Sequence, residues 1–206
     1  VALLGKTGAG KSTLLDNLIG LKLPQQGEIM IEDLKVENSN LNQIRKKIGF
    51  AFQNPEHQLF MPTILEDVMF GLLNYQISPQ KAKEKARFLL AEFDLIEYEN
   101  RSAHELSGGQ KRLAALAGIL ALDPSILILD EPTNGLDPAW RKKLAQILLN
   151  LSVEVILIAS HDLHWIRKIT ARGLILDQGK IQVDQPLSEL FKQEKTLEKY
   201  RLFLDW

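Results

Sequence analysis

Eight residues near the start of the chain, Gly5-Lys6-Thr7-Gly8-Ala9-Gly10-Lys11-Ser12, carry the spacing G-x-x-x-x-G-K-[ST]. Glycines at those positions let the backbone turn until successive N–H groups converge on one point, the arrangement that holds phosphate oxygens. A helix starting at the end of the run directs its positive end at the same anion. Lys11 is then set to reach the β- and γ-phosphates of a nucleotide, and the Ser12 hydroxyl to ligate Mg²⁺. Thr13 belongs to the same cofactor-binding set. The bland alternative, a glycine-rich turn with an incidental Lys-Ser, loses ground because an apolar run, Val1–Leu4, precedes the motif and a helical pattern follows it.

A second acidic site stands far downstream, where the apolar run Ile126–Leu129 ends in Asp130-Glu131. In an open parallel sheet the carboxyl ends of the strands form the ligand crevice, which would bring these acids to the edge that carries the glycine loop. Asp130 is placed to hold Mg²⁺ through its water shell. Glu131, one step on, points elsewhere and could orient or deprotonate an attacking water. Alone, such a pair would read as a solvated turn; the phosphate loop changes that reading.

The elements that must position these groups alternate. Strands are expected at Val1–Leu4, Ile29–Ile31, Ile48–Phe52, Ile126–Leu129 and Val155–Ala159, with helices from the glycine loop to about Gly20 and over Gln110–Leu122, Ala139–Leu151 and Leu163–Ile169. Strand–helix alternation implies right-handed crossovers and a largely parallel sheet, an α/β fold. Residues 55–106 differ in character, with amphipathic helices over Ile64–Asn74 and Pro79–Phe93, the second with Ser78 as its cap, and read as a helical insertion. A hairpin, Leu174–Leu176 and Lys180–Val183, turns at Asp177-Gln178-Gly179. The tail, 187–206, places Leu187, Leu190, Phe191, Leu197, Tyr200, Leu202 and Leu204 among charges and suits one or two surface helices.

Composition narrows the classes. A net charge of -1 gives no bulk case for gripping a nucleic-acid backbone, and zero cysteines exclude disulfides and thiolate metal sites. The longest apolar runs fall far short of the roughly 20 residues that span a bilayer, so a membrane role must go through partners.

Leu106-Ser107-Gly108-Gly109-Gln110 sets two glycines directly after a Ser cap, a second anion-binding helix start. Here the sequence resembles the ABC ATPases, whose signature is LSGGQ, and the likeness extends along essentially the whole chain. Further motifs follow in that family's order: Gln53 at the end of a strand, Asn134-Gly135-Leu136-Asp137, and Ser160-His161-Asp162. The resemblance implies a P-loop NTPase core (1–54 and 107–185) with an inserted helical subdomain (55–106) and a C-terminal helical tail (186–206). It also implies MgATP hydrolysis in a two-subunit sandwich, with Ser107, Gly108, Gly109 and Gln110 of one subunit on the γ-phosphate held by the other. In that arrangement Gln53 senses Mg²⁺ and the γ-phosphate, Glu131 activates water, His161 is the switch histidine, and Asp137 lies in the loop between subunits.

The stretch Phe52-Gln53-Asn54-Pro55-Glu56-His57-Gln58-Leu59-Phe60, followed by 63–71, resembles the energy-coupling factor ATPases in particular. That implies transmembrane transporter subunits as partners, a homodimer or a heterodimer with a paralogous ATPase, a peripheral position on the cytoplasmic face of the cell membrane, and cobalt, nickel or a vitamin as cargo. Family members have an antiparallel strand segment and an adenine-stacking aromatic before the P-loop strand, so a segment upstream of Val1 is expected. The rival readings are a truncated, weakly active cassette and a soluble ABC ATPase acting on nucleic acid or ribosomes. The second is disfavoured because such proteins carry paired cassettes or a long coiled-coil insertion.

Overall fold

The computed structural model describes residues 1–203. Among them the chain forms strands β1 (Ala2–Leu4), β2 (Met30–Ile31), β3 (Leu34–Lys35), β4 (Ile48–Ala51), β5 (Ile126–Asp130), β6 (Val155–Ala159), β7 (Arg172–Asp177) and β8 (Lys180–Pro186). The helices are α1 (Lys11–Leu18), α2 (Leu41–Lys47), α3 (Ile64–Asn74), α4 (Pro79–Glu92), α5 (Gly108–Leu120), α6 (Pro138–Asn150), α7 (Leu163–Ile166), α8 (Leu187–Leu190) and α9 (Glu194–Lys199). The main sheet runs β4-β5-β6-β1-β7-β8, with β2 and β3 forming a separate antiparallel pair. The five strands from β4 to β7 are parallel and β8 turns back antiparallel, so the expected α/β fold with a mainly parallel sheet is what forms.

Helices cover both faces of this sheet, and the strands show it in sequence: β5 is apolar at consecutive positions rather than at alternate ones. Leu127 and Leu129 join one core with Ala2, Leu4 and Ile158, while Ile128 joins the other with Leu3 and Ala159. Leu3 and Leu4 are fully buried, each stabilising the fold by about 1.5–3 kcal/mol relative to exposure. The first core also takes in Ile64, Val68 and Leu72 of α3, Ala82, Ala86 and Leu90 of α4, and Leu113–Ala117 of α5. The second is closed by Leu15 and Ile19 from α1 and its end and by Ile44 of α2.

Local chemistry sets several boundaries. Thr63 and Glu66 form a reciprocal capping box, and α3 starts at Ile64 as expected. Ser107 and Gln110 form another, so α5 starts at Gly108, two residues before the expected Gln110. Ser78 precedes α4 but its side chain makes no cap bond; Pro79 at the first position sets the start. Helix α7 stops at Ile166 rather than Ile169. The tail forms two short helices, and Leu187, Leu190, Leu197, Tyr200 and Leu202 are buried in the first core rather than lying on a surface; Leu204 lies outside the described residues.

Candidate active site

Four parallel strands, β4, β5, β6 and β1, are neighbours in the sheet, and each releases a chemically equipped loop from its carboxyl end. Gln53 follows β4, Asp130 closes β5 with Glu131 next, Ser160-His161 follows β6, and the glycine loop follows β1. Their registers align these ends, with Ala51 opposite Leu129, Asp130 opposite Ala159 and Leu3 opposite Ala159. The result is one pocket of about 340 Å³ lined by Lys6, Thr7, Gly8, Gly10, Lys11, Ser12, Thr13, Gln53, Asp130, Glu131 and His161.

The loop is shaped from behind as well as from the front. Gly5 has φ +152°, and a Cβ there would stand 2.4 Å from the Leu176 carbonyl oxygen, so only glycine fits between the loop and β7. Ala9 is buried; its N–H donates to the Lys6 carbonyl and its own carbonyl accepts from Gly179, so Gly5 and Ala9 support the pocket without lining it. The Lys11 ammonium donates to the Gly5 carbonyl at 2.6 Å and lies 4.0 Å from Glu131 Oε1. A phosphate would offer that ammonium full negative charge in place of a carbonyl dipole. Lys6 is held by Asp177 at 3.1 Å.

The Ser12 hydroxyl donates to Asp130 Oδ2 at 3.1 Å. A hydroxyl and a carboxylate so placed suit an ion that keeps much of its water, with Ser12 as a ligand and Asp130 holding the water shell. No group of three or more acids or histidines that could cage a metal occurs among the described residues. The Ser12 hydroxyl and Asp130 carboxylate fit Mg²⁺, which keeps waters and shares phosphate oxygens with a bound substrate. Asp130 is 9% exposed, and burial pushes its carboxyl above the usual range, against the Ser12 hydrogen bond, while the charge of Glu131 pushes the same way as burial.

Glu131 sits at φ +46°, the left-handed region, at a cost on the order of 1–3 kcal/mol. The turn takes its side chain away from Asp130, as expected, towards His161: Oε2 lies 2.8 Å from His161 Nδ1 and accepts the His161 backbone N–H at 3.3 Å. With Nδ1 on the carboxylate, Nε2 of this exposed ring is left for another partner.

The LSGGQ residues are not brought to this pocket. Ser107 Oγ accepts from the Gln110 N–H and Gln110 Oε1 from the Ser107 N–H, closing the start of α5 elsewhere on the molecule. The two glycines differ. A Cβ on Gly109 would meet the Trp140 ring at 2.3 Å, whereas one on Gly108 would meet nothing within 4 Å. Asp137 caps α6, accepting from the Trp140 N–H at 2.9 Å, and does not line the pocket either.

Gln58 has a role that sequence reasoning missed. Its side-chain amide accepts from the Phe52 N–H at 3.1 Å and donates to the Phe50 carbonyl at 3.0 Å, pairing like an extra strand residue with the free edge of β4 just before Gln53. The 52–60 run contained it, but nothing in that run revealed the pairing.

A profile of the ABC transporter family matches residues 1–134. The chain is 41% identical over 208 residues to the energy-coupling factor transporter ATP-binding protein EcfA of Methanothermobacter thermautotrophicus, covering 99% of this chain and 67% of that protein. It is 41% identical over 210 residues to EcfA2 of Clostridium perfringens, covering 98% and 73%. Among solved structures, cbiO1 of Clostridium perfringens, described as part of the ABC transporter complex cbiONQ, superposes with a TM-score of 0.82 at 31% identity, covering 98% of this chain and 83% of that one. A dimeric ATP-binding cassette in a post-hydrolysis state with ADP and Pi superposes with a TM-score of 0.81 at 30% identity, covering 90% and 84%.

Proposed function

Since the chain belongs to the ABC transporter family, as one of its ATPase subunits, we propose that it powers an importer of the energy-coupling factor type for cobalt, nickel or a vitamin. It works as a dimer, with a second copy or a paralogous ATPase, at the cytoplasmic face of the membrane. The observation that carries the dimer is Gly108: a Cβ there would meet no atom of the described residues within 4 Å, and the helix end that it opens lies outside its own phosphate pocket. A close approach by the γ-phosphate bound to the other subunit would require one. The dimeric cassette with ADP and Pi is a precedent in the same family.

In this reading the glycine loop binds the triphosphate and Lys11 exchanges the Gly5 carbonyl for phosphate oxygens. Ser12 and Asp130, with Gln53, would hold Mg²⁺, which supplies charge neutralisation across the β- and γ-phosphates. Glu131 takes the proton of the attacking water while His161 fixes its carboxylate, and Asp137 stands in the loop between subunits. The driving force is the greater affinity of the closed dimer for ATP.

The import reading rests on likeness to the energy-coupling factor proteins and on an apolar feature just after Gln53. Phe60, 62% exposed, packs edge-on against Phe70 at 4.8 Å. Asp67 holds this corner, accepting from the Phe60 and Met61 N–H groups at 2.9 Å. No helix among the described residues is long and apolar enough to cross a membrane, so the proposed association runs through membrane subunits that cover this pair.

Two measurements test the proposal. With saturating MgATP, Glu131→Gln accumulates as a stable dimer with turnover reduced about 10²-fold or more; a monomer under those conditions removes the sandwich. Vesicles containing the gene product and the membrane subunits that co-purify with it take up cobalt, nickel or a vitamin in an ATP-dependent manner; uptake of none of these removes the import reading.

A further inference from the structure

Arg112 is a buried cation, 8% exposed, on α5. Its Nη2 donates to the Gln53 carbonyl at 2.9 Å and to the Asn134 carbonyl at 3.3 Å, while its buried Nε has no partner. Burial holds it below the usual guanidinium range, with no carboxylate offsetting the cost. An unpaired cation is an expensive way to fill a core position. What it gains is a connection between segments far apart in sequence.

Both carbonyls belong to loops with consequences beyond packing. Gln53 lines the phosphate pocket. Asn134 begins the turn that ends at Asp137, the cap of α6. Arg112 itself is on the helix that Ser107 caps. Its neighbour Lys111 reinforces the same link through Glu56 at 2.5 Å. Upstream, Gln58 fixes the peptide groups on either side of Ala51. The main chain around Gln53 is thus held from β4 on one side and from α5 on the other.

We propose that Arg112 is a positioning residue that locks the Gln53 loop and the Asn134–Asp137 loop to the LSGGQ helix, so that a displacement of that helix moves Gln53 in its own chain's pocket. This rests on Gln53 acting in ATP hydrolysis, as proposed above. Both bonds leave Nη2, whose two hydrogens lie in the guanidinium plane, so one nitrogen ties carbonyls of two separate loops in a fixed geometry; a lysine ammonium, free to rotate on a flexible stem, does not fix those directions.

The test uses the complete gene product with its co-purifying membrane subunits and measures steady-state ATPase kinetics for Arg112→Lys, Arg112→Met, Gln53→Ala and the Gln53→Ala/Arg112→Lys pair. Arg112→Lys keeps the charge and guards against a failure of the Met variant to fold. We expect kcat to fall about tenfold or more in Arg112→Lys with KM for ATP held within about twofold, the mark of lost positioning rather than lost binding. The paired variant should be no slower than Gln53→Ala alone. Losses that multiply in the pair, a wild-type kcat in Arg112→Lys, or a raised KM with kcat unchanged would each overturn the proposal. Turnover by the wild type together with a wild-type rate in Gln53→Ala would overturn the assignment of Gln53 and this inference with it, whereas multiplying losses would leave that assignment standing.

Discussion

At the scale of single residues, Gly108 and Gly109 are adjacent and answer to different demands. Gly109→Ala drives a methyl group into Trp140 and should cost about 1–3 kcal/mol, seen as a lowered thermal midpoint. Gly108→Ala meets open space and suits a helix start, so stability should hold within about 1 kcal/mol. If the second subunit's phosphate approaches there, its turnover nevertheless falls about tenfold or more; full activity would remove Gly108 from the site. Asp130 makes the opposite trade. Burial raises its folded-state pKa, so the protonated form stabilises the fold, and this contribution is lost as pH rises from the ordinary carboxylate value through the raised one. Asp130→Asn should therefore raise the thermal midpoint of the nucleotide-free protein at pH 7, with a smaller gain near pH 4. Mg²⁺-dependent turnover should be lost in the same variant.

At the scale of elements, Gln58 is a single side chain that stands in for a strand. Gln58→Leu keeps the volume but leaves the Phe52 N–H and Phe50 carbonyl without this partner, and should lower kcat more than it raises KM. Thr63→Ala breaks the α3 capping box at a cost of about 1 kcal/mol, a fall in midpoint of about 2–4 °C, with nucleotide kinetics unchanged. The same contrast explains what the amino-acid pattern could reveal. Helix α3 and strand β6 were legible to their end residues because a cap or a sustained apolar run marks them. Helix α2 was not, because its seven residues bury only Ile44; β2 was expected one residue early, at Ile29–Ile31, and β3, two residues long, was too short for period-two alternation to emerge. The glycine loop carried recognisable spacing and Asp130-Glu131 closed an apolar run, while Gln53 and His161 were placed by the family resemblance; Gln58 and Arg112 had no such mark, since each acts on main-chain groups supplied by tertiary structure.

At the scale of the whole molecule, the phosphate pocket and the exposed Phe60–Phe70 pair lie on one continuous path through the segment 53–60. Phe60→Ser should abolish co-purification with membrane subunits while leaving ATP binding by the isolated chain unchanged; retained co-purification would exclude this corner as the docking point. Strand β5 carries another consequence. Because both of its faces are buried, hydrophobicity is nearly indifferent to a shift of one residue, which would exchange the faces of Leu127 and Ile128 yet keep the core oily. Alignment is recorded instead at the margins, in the Glu131 N–H bond to Ala159 and at Gly49 opposite Leu127, where a Cβ would stand 2.4 Å from Ile119. The strand's register is therefore held at its two ends, one of them the end that carries Asp130 and Glu131. A misaligned chain would be compact and spectroscopically helical but without Asp130 beside Ser12, and on refolding from denaturant the far-ultraviolet signal should recover ahead of ATPase turnover.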